Sequence, residues 1–201
     1  MEMIQEHPHA AAYLAADDVV DHGHPLVRET ADALWTAADG DPYAYAKAAF
    51  EFVRDTVAHS ADSGDPRVTW RASDVLRTRT GICYAKAHAL AALLRARGIP
   101  TAFCYQLLAD DDGSNAALHG LIALRPPGAA AGWARVDPRG NKPGVDAQFT
   151  LDREQLAFPV RPELGELDYP GLYAAPHPAV LTALRGSADR PELWRNLPTG
   201  L

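Results

Sequence analysis

In this chain of 201 residues there are two cysteines and eight histidines, and one cysteine sits where a thiol becomes a nucleophile. Cys83 opens a stretch in which Cys83, Ala87, Leu90 and Leu94 recur at helical spacing, and Ala91, Leu93 and Ala96 widen the apolar stripe. Thr80 or Gly81 can cap the start, and Gly98 followed by Pro100 reads as the stop. A thiol in the first turn faces unpaired backbone N–H groups and the positive end of the helix dipole, both of which favour the thiolate. A helix terminus supplies at most about 2 kcal/mol, roughly one and a half pKa units from a starting value near 8.5. A thiolate that dominates below neutral pH therefore needs a second cation, normally an imidazolium.

The question becomes which histidine. His88 lies on the same helix as Cys83, but five helical steps turn it about 140° around the axis, so it reads as structural. His119 and Asp137 fall in two apolar segments, Leu118 to Arg125 and Trp133 to Pro138, joined by the turn-forming run from Pro126 to Gly132. Both segments read as strands. A hairpin closing symmetrically about Gly128 sets His119 opposite Asp137, with Cβ atoms about 5 Å apart on one face. A slip of one residue would put them on opposite faces. If the N-terminus of the Cys83 helix packs on this sheet, the three residues form a nucleophile, a base and an orienting carboxylate.

The other reactive groups read as structural. Cys104, between Phe103 and Tyr105, is expected in the core. His22-Gly23-His24, with Asp17, Asp18 and Asp21 nearby, has the composition of a metal site but not the ligand spacing of a zinc pattern, and is expected to be an exposed turn. No metal or cofactor is expected. Trp70 and Trp133 are packing residues or walls of a cleft. Arg139-Gly140-Asn141-Lys142 reads as a turn able to close the site. The acidic turn Asp110-Asp111-Asp112 reads first as an ordinary solvated turn; the alternative is that it rims the cleft in such a sheet and favours a cationic substrate or an amine acceptor.

The elements that must position these groups follow from periodicity. Helices are expected over Ala10 to Val20, Leu26 to Ala37 and Tyr43 to His59, the last after the start signal Asp41-Pro42. Ser60 to Pro66 reads as a polar loop, and Ser73 as the cap of a short helix from Asp74 to Thr78. After Pro100 the period changes: Thr101 to Leu108 is the first strand, the two strands above follow, and Val145 to Leu151 and Gln155 to Val160 are a fourth and fifth. A short helix is expected near Ala179 to Arg185. The fold class is α+β, helices first and an antiparallel sheet after. The organisation expected is one domain over 1–201, with a helical N-terminal extension (1–66), a catalytic core (67–160) and a proline-rich C-terminal tail (161–201).

A net charge of −7 without a basic patch argues against nucleic acid or an anionic membrane as partner. Apolar content of 47% and charged content of 22% suit a soluble globule. No apolar segment approaches a membrane span, the first residues lack a secretory pattern, and two cysteines make no disulfide framework, so a cytoplasmic location is expected.

Gly81-Ile82-Cys83, the helix running to Arg97-Gly98-Ile99-Pro100, His119-Gly120 and Trp133-Ala134-Arg135-Val136-Asp137-Pro138 together resemble the transglutaminase-like superfamily of cysteine proteases and acyltransferases. The resemblance covers roughly residues 70–140. It implies a papain-like fold with a central helix packed on an antiparallel sheet, and a catalytic cysteine, histidine and aspartate at Cys83, His119 and Asp137. The implied activity is cysteine-dependent hydrolysis or acyl transfer at an amide or ester carbonyl of a peptide, a protein or a small amide. A catalytically inactive binding domain on the same fold is the alternative. The pattern departs from its relatives around the nucleophile: Ile82 precedes and Tyr84 follows Cys83, and Arg77 occupies the position where papain-like proteases carry an oxyanion glutamine. The oxyanion donors are thus unassigned beyond the Cys83 backbone N–H. Neither the acyl acceptor nor the oligomeric state is legible.

Overall fold

A computed structural model describes residues 2–129 and 132–201. The architecture is built around one helix, α5 (Cys83–Ala96), in which every residue from Cys83 to Arg95 is buried. A helix apolar on all sides has no solvent face to keep, and its alanines let neighbours approach closely. It packs against α1 (Pro25–Ala37), α2 (Pro42–Thr56) and α4 (Ala72–Thr78), and against the strands β4 (Thr101–Leu108) and β5 (Ala117–Leu124). Its end is a Schellman motif: Gly98 at φ +72° allows Ile99 N–H to reach Leu94 O (3.1 Å) and Gly98 N–H to reach Arg95 O (3.0 Å).

Three polar side chains interrupt this apolar helix, and each binds backbone carbonyls of a different neighbour. Lys86 Nζ donates to Arg54 O (3.1 Å) and Val57 O at the end of α2. His88 Nδ1 lies 2.8 Å from Trp70 O. The Arg95 guanidinium donates to Ala15 O (2.7 Å), Thr101 O (2.6 Å) and Ala174 O (2.7 Å), over the ring of Phe103. Burying these groups is tolerable because they are hydrogen-bonded.

The main sheet has the order β6-β5-β4-β7, all antiparallel, with β6 at Ala134–Val136 and β7 at Leu167–Asp168. Two small parallel pairs form sheets of their own: β1 (Ile4–Gln5) with β8 (Gly171–Leu172), and β2 (Ala58–His59) with β3 (Thr80–Gly81). The remaining helices are α3 (Ser60–Ser63), α6 (Pro178–Gly186) and α7 (Arg190–Arg195). Among the described residues no helix is long and apolar enough to cross a membrane.

Several expected elements differ. The Ala10 to Val20 helix is only a 3₁₀ turn over Ala10–Leu14, because Asp17 Oδ1 takes the N–H groups of Val19 (2.7 Å) and Val20 (2.6 Å). The helix expected to run to His59 ends at Thr56; Lys86 satisfies carbonyls at its end, and Ala58–His59 turns into a strand. The polar loop after His59 contains α3. Ser73 lies inside α4, whose N-cap is Arg71. Neither Thr80 nor Gly81 caps α5: the N-cap is Ile82, which offers no side-chain acceptor. Val145 to Leu151 and Gln155 to Val160 form no strands. Their donors go elsewhere, Ala147 N to Asn141 Oδ1 (2.8 Å) and Ala157 N to Asp137 Oδ2 (3.2 Å), and the sheet takes its outer strand from β7.

The β5–β6 ladder pairs Ile122 with Val136 and Leu124 with Ala134. Its centre is therefore Ala129 instead of Gly128, a displacement of two residues in the pairing. Asp137 continues opposite Leu121, and His119 lies two further along. Even displacements preserve the face, so the two side chains remain diagonal neighbours. Ala130 and Ala131 of the connecting run lie outside the described residues.

Candidate active site

The first intrahelical bond of α5 is Lys86 N–H to Ile82 O (3.0 Å). With an apolar N-cap, the N–H groups of Cys83, Tyr84 and Ala85 receive no side-chain cap, which leaves donors concentrated around the thiol. Two glycines bring that turn into place. A Cβ on Gly81 would sit 2.7 Å from Ala85 Cβ and 2.9 Å from Thr69 Oγ1; one on Gly120 would sit 2.6 Å from the Tyr84 ring. Tyr84 also donates its hydroxyl to Leu118 O. The residue after the cysteine thus lies directly on the residue after the histidine.

His119 Nε2 is 2.7 Å from Asp137 Oδ2, and the Cys83 sulfur is close enough to the His119 ring to favour its charged form. With Nε2 engaged by the carboxylate, Nδ1 is the nitrogen left for sulfur. Asp137 is fully enclosed, and besides the ring it accepts Arg139 N–H (3.0 Å) and Ala157 N–H (3.2 Å). Burial alone would disfavour its charge, but the imidazole and those two amides hold its carboxyl below the usual range. Burial likewise opposes the His119 imidazolium; the Asp137 carboxylate and the Cys83 sulfur outweigh it and lift the ring to about 10. Phe158 packs edge-on against the ring, centroids 5.4 Å apart.

Cys83 and His119, 8% and 6% exposed, open onto a cavity of about 1000 Å³. His59, Phe158 and Arg139 line it near the pair, and Asp110, Asp111, Arg161 and Trp194 lie further out. The acidic turn does reach the cavity, although Asp111 is paired with Arg161 (2.7 Å) and Asp112 is bound to Ser114 N–H. Arg139 is bound to Asp62, which Lys142 also contacts (2.9 Å).

The remaining candidates lie elsewhere. Cys104 is enclosed with Tyr13, Ala102 and Leu121, and burial pushes its thiol up to about 12. His88 sits edge-on to Phe103 in the core. His24 caps α1 by accepting Leu26 N–H, and His22 Nε2 lies 3.1 Å from Leu14 O. Trp70 is packed between Arg71 and Arg185, and Trp133 against Tyr13, so neither borders the cavity. Arg77 pairs with Asp74 on the surface. The residue sequence reasoning overlooked is His59, which the helical periodicity of α2 had absorbed. Its signal was the polar pair His59-Ser60 directly after the last apolar position of that helix.

A central helix with a thiol in its first turn, set beside a histidine and a carboxylate from an antiparallel sheet, is the architecture of the papain-like and transglutaminase-like folds. The chain belongs to the transglutaminase-like superfamily, whose sequence profile matches residues 28–138, more than half of it. Among solved structures it is similar to a cysteine-protease candidate from Cytophaga hutchinsonii, at 18% identity and a TM-score of 0.50, over 65% of this chain and 42% of that one. It is also similar to the periplasmic domain of TgpA from Pseudomonas aeruginosa (26% identity, TM-score 0.47, 64% and 46% covered). Red sea bream transglutaminase is a third (15% identity, TM-score 0.45, 59% and 27% covered). The chain spans less than half the length of each. No curated protein matches it in sequence.

Proposed function

We propose that this protein is a cysteine-dependent hydrolase or acyltransferase acting on an amide or ester carbonyl, with Cys83 as nucleophile, His119 as acid and base, and Asp137 as the group orienting the imidazole. The observation that carries the reading is the single ring of His119, hydrogen-bonded to Asp137 and sharing one cavity with Cys83, whose sulfur favours the ring's charged form. Cys83 sulfur attacks the carbonyl carbon and the C=O electron pair moves to oxygen. Collapse of that adduct breaks the bond to the leaving amine or alkoxide, which takes a proton from the His119 imidazolium. The thioester that remains is attacked by water or by an amine, whose proton passes to the now neutral imidazole. Thiolate and imidazolium are then restored.

Hydrolysis and transfer share the thioester, and the acceptor able to enter the cavity decides between them. The substrate is a peptide, a protein or a small amide, in a cytoplasmic setting where the two unpaired cysteines stay reduced. Incubation with a peptide library, followed by mass spectrometry for cleavage and for amine incorporation, tests the reading. Cys83→Ala and His119→Ala abolish both products while remaining folded, and Cys104→Ala retains most activity. Labelling of Cys104 by substrate-like electrophiles with Cys83 inert would overturn it.

A further inference from the structure

The tetrahedral adduct needs donors for its oxygen, and backbone N–H groups at the start of α5 supply one side. The side-chain donor is missing from the position where papain-like enzymes carry it, since Arg77 is on the surface with Asp74. His59 lines the same cavity as Cys83 and His119, is 8% exposed, and has its Nδ1 sealed from solvent with no hydrogen-bond partner. Nδ1 is therefore out of a substrate's reach, and Nε2, which is not enclosed and makes no hydrogen bond among the described residues, is the nitrogen on the cavity side; with nothing for Nδ1 to donate to, the proton of the neutral ring belongs on Nε2.

Its placement is held from two sides. β2 pairs in parallel with β3, His59 in register with Gly81, two residues before the nucleophile. Ala58 N–H donates to Arg79 O (2.9 Å), and Lys86 from the nucleophile's own helix grips the carbonyls of Arg54 and Val57 just upstream. We propose that His59 donates the side-chain hydrogen bond that stabilises the oxyanion formed when Cys83 attacks. The assignment rests on the acyl-transfer reading above. In the step it assists, the sulfur–carbon bond forms, the carbonyl electron pair moves onto oxygen, and the Nε2–H of His59 binds that oxygen without giving up its proton. Burial, then Arg139 and Lys86 with His119, outweigh Asp62 and hold His59 down to about 3. The ring is therefore neutral at physiological pH and supplies a dipole, with no second cation beside the His119 imidazolium.

The test compares two reactions of Cys83 in the full chain. Acylation by p-nitrophenyl acetate passes through an oxyanion, and alkylation by iodoacetamide does not. His59→Leu slows the acylation burst by about 100- to 1000-fold and leaves the alkylation rate unchanged; His59→Gln, which keeps an N–H donor, recovers much of the acylation. If His59→Leu does not fold, His59→Ala with added imidazole replaces it, and the imidazole restores acylation alone. Unimpaired acylation in His59→Leu, no imidazole rescue in His59→Ala, or parallel loss of acylation and alkylation would overturn the role. A wild-type protein that is alkylated at Cys83 but never acylated would instead sink the acyl-transfer reading, and this role with it.

Discussion

Asp137 shows how much one buried carboxylate controls. It is fully enclosed, and with the Cys83 sulfur its charge keeps the His119 ring protonated against burial. Asp137→Asn preserves the shape but turns an acceptor into a donor and favours the wrong imidazole tautomer. The expected result is a folded protein with kcat lowered by about three to four orders of magnitude. Alkylation of Cys83 at pH 6 should slow as well, because burial then depresses His119 with only the Cys83 sulfur opposing it; near-normal turnover would disconnect Asp137 from the chemistry. The approach of His119 and Asp137 was legible in the sequence because a period-two pattern is indifferent to even displacements: the pairing moved by two residues, and the face survived. His59 was not legible, because a helical stripe says nothing about the residue at which it stops. What stops it is a tertiary contact, the Lys86 amine on the carbonyls of Arg54 and Val57.

Among the elements, the contact of α5 with β5 sets the distance between sulfur and ring. Gly120 offers no Cβ, so the Tyr84 ring lies on the strand backbone. Gly120→Ala forces the first turn of α5 away from the sheet. Overpacking of this kind costs about 1–3 kcal/mol, to be read from denaturant unfolding, and the acylation rate should fall further than that loss of stability explains. Wild-type stability and rate in this variant would show that the turn has room to shift. The burial of the segment after Gly144 alternates as a strand would: Val145, Ala147 and Phe149 are buried, with Asp146 exposed between them. Yet it forms no ladder, since Phe149 packs on Tyr43 and Phe50 and the backbone donors are taken by side chains. Alternation in sequence reports which side chains are buried and is silent on where the N–H groups go.

Across the whole molecule, the buried histidines give stability a pH dependence of mixed sign. Burial pushes His88 down to about 4, whereas the unfolded ring titrates near 6.5. As pH falls below 6.5 the unfolded chain gains a proton that the folded chain does not, so stability falls between about 6.5 and 4. His119 has the opposite sign: its contribution is complete below 6.5 and is lost as pH rises toward about 10. His88→Gln keeps a donor for Trp70 O and should reduce the loss of unfolding free energy between pH 7 and 4.5 by roughly 2–3 kcal/mol. An unchanged slope would place the acid sensitivity elsewhere. Arg95 carries a consequence of another kind, in time. Its guanidinium is satisfied only when carbonyls from Ala15, Thr101 and Ala174 have all arrived. On the ribosome, the helix that begins with Cys83 emerges long before Ala174 is made, and until then its cationic end cannot be sealed. The C-terminal end of the central helix is therefore the last part of it to be sealed, and a nascent chain stalled short of Ala174 carries Cys83, His119 and Asp137 on a helix whose buried guanidinium is only partly bound.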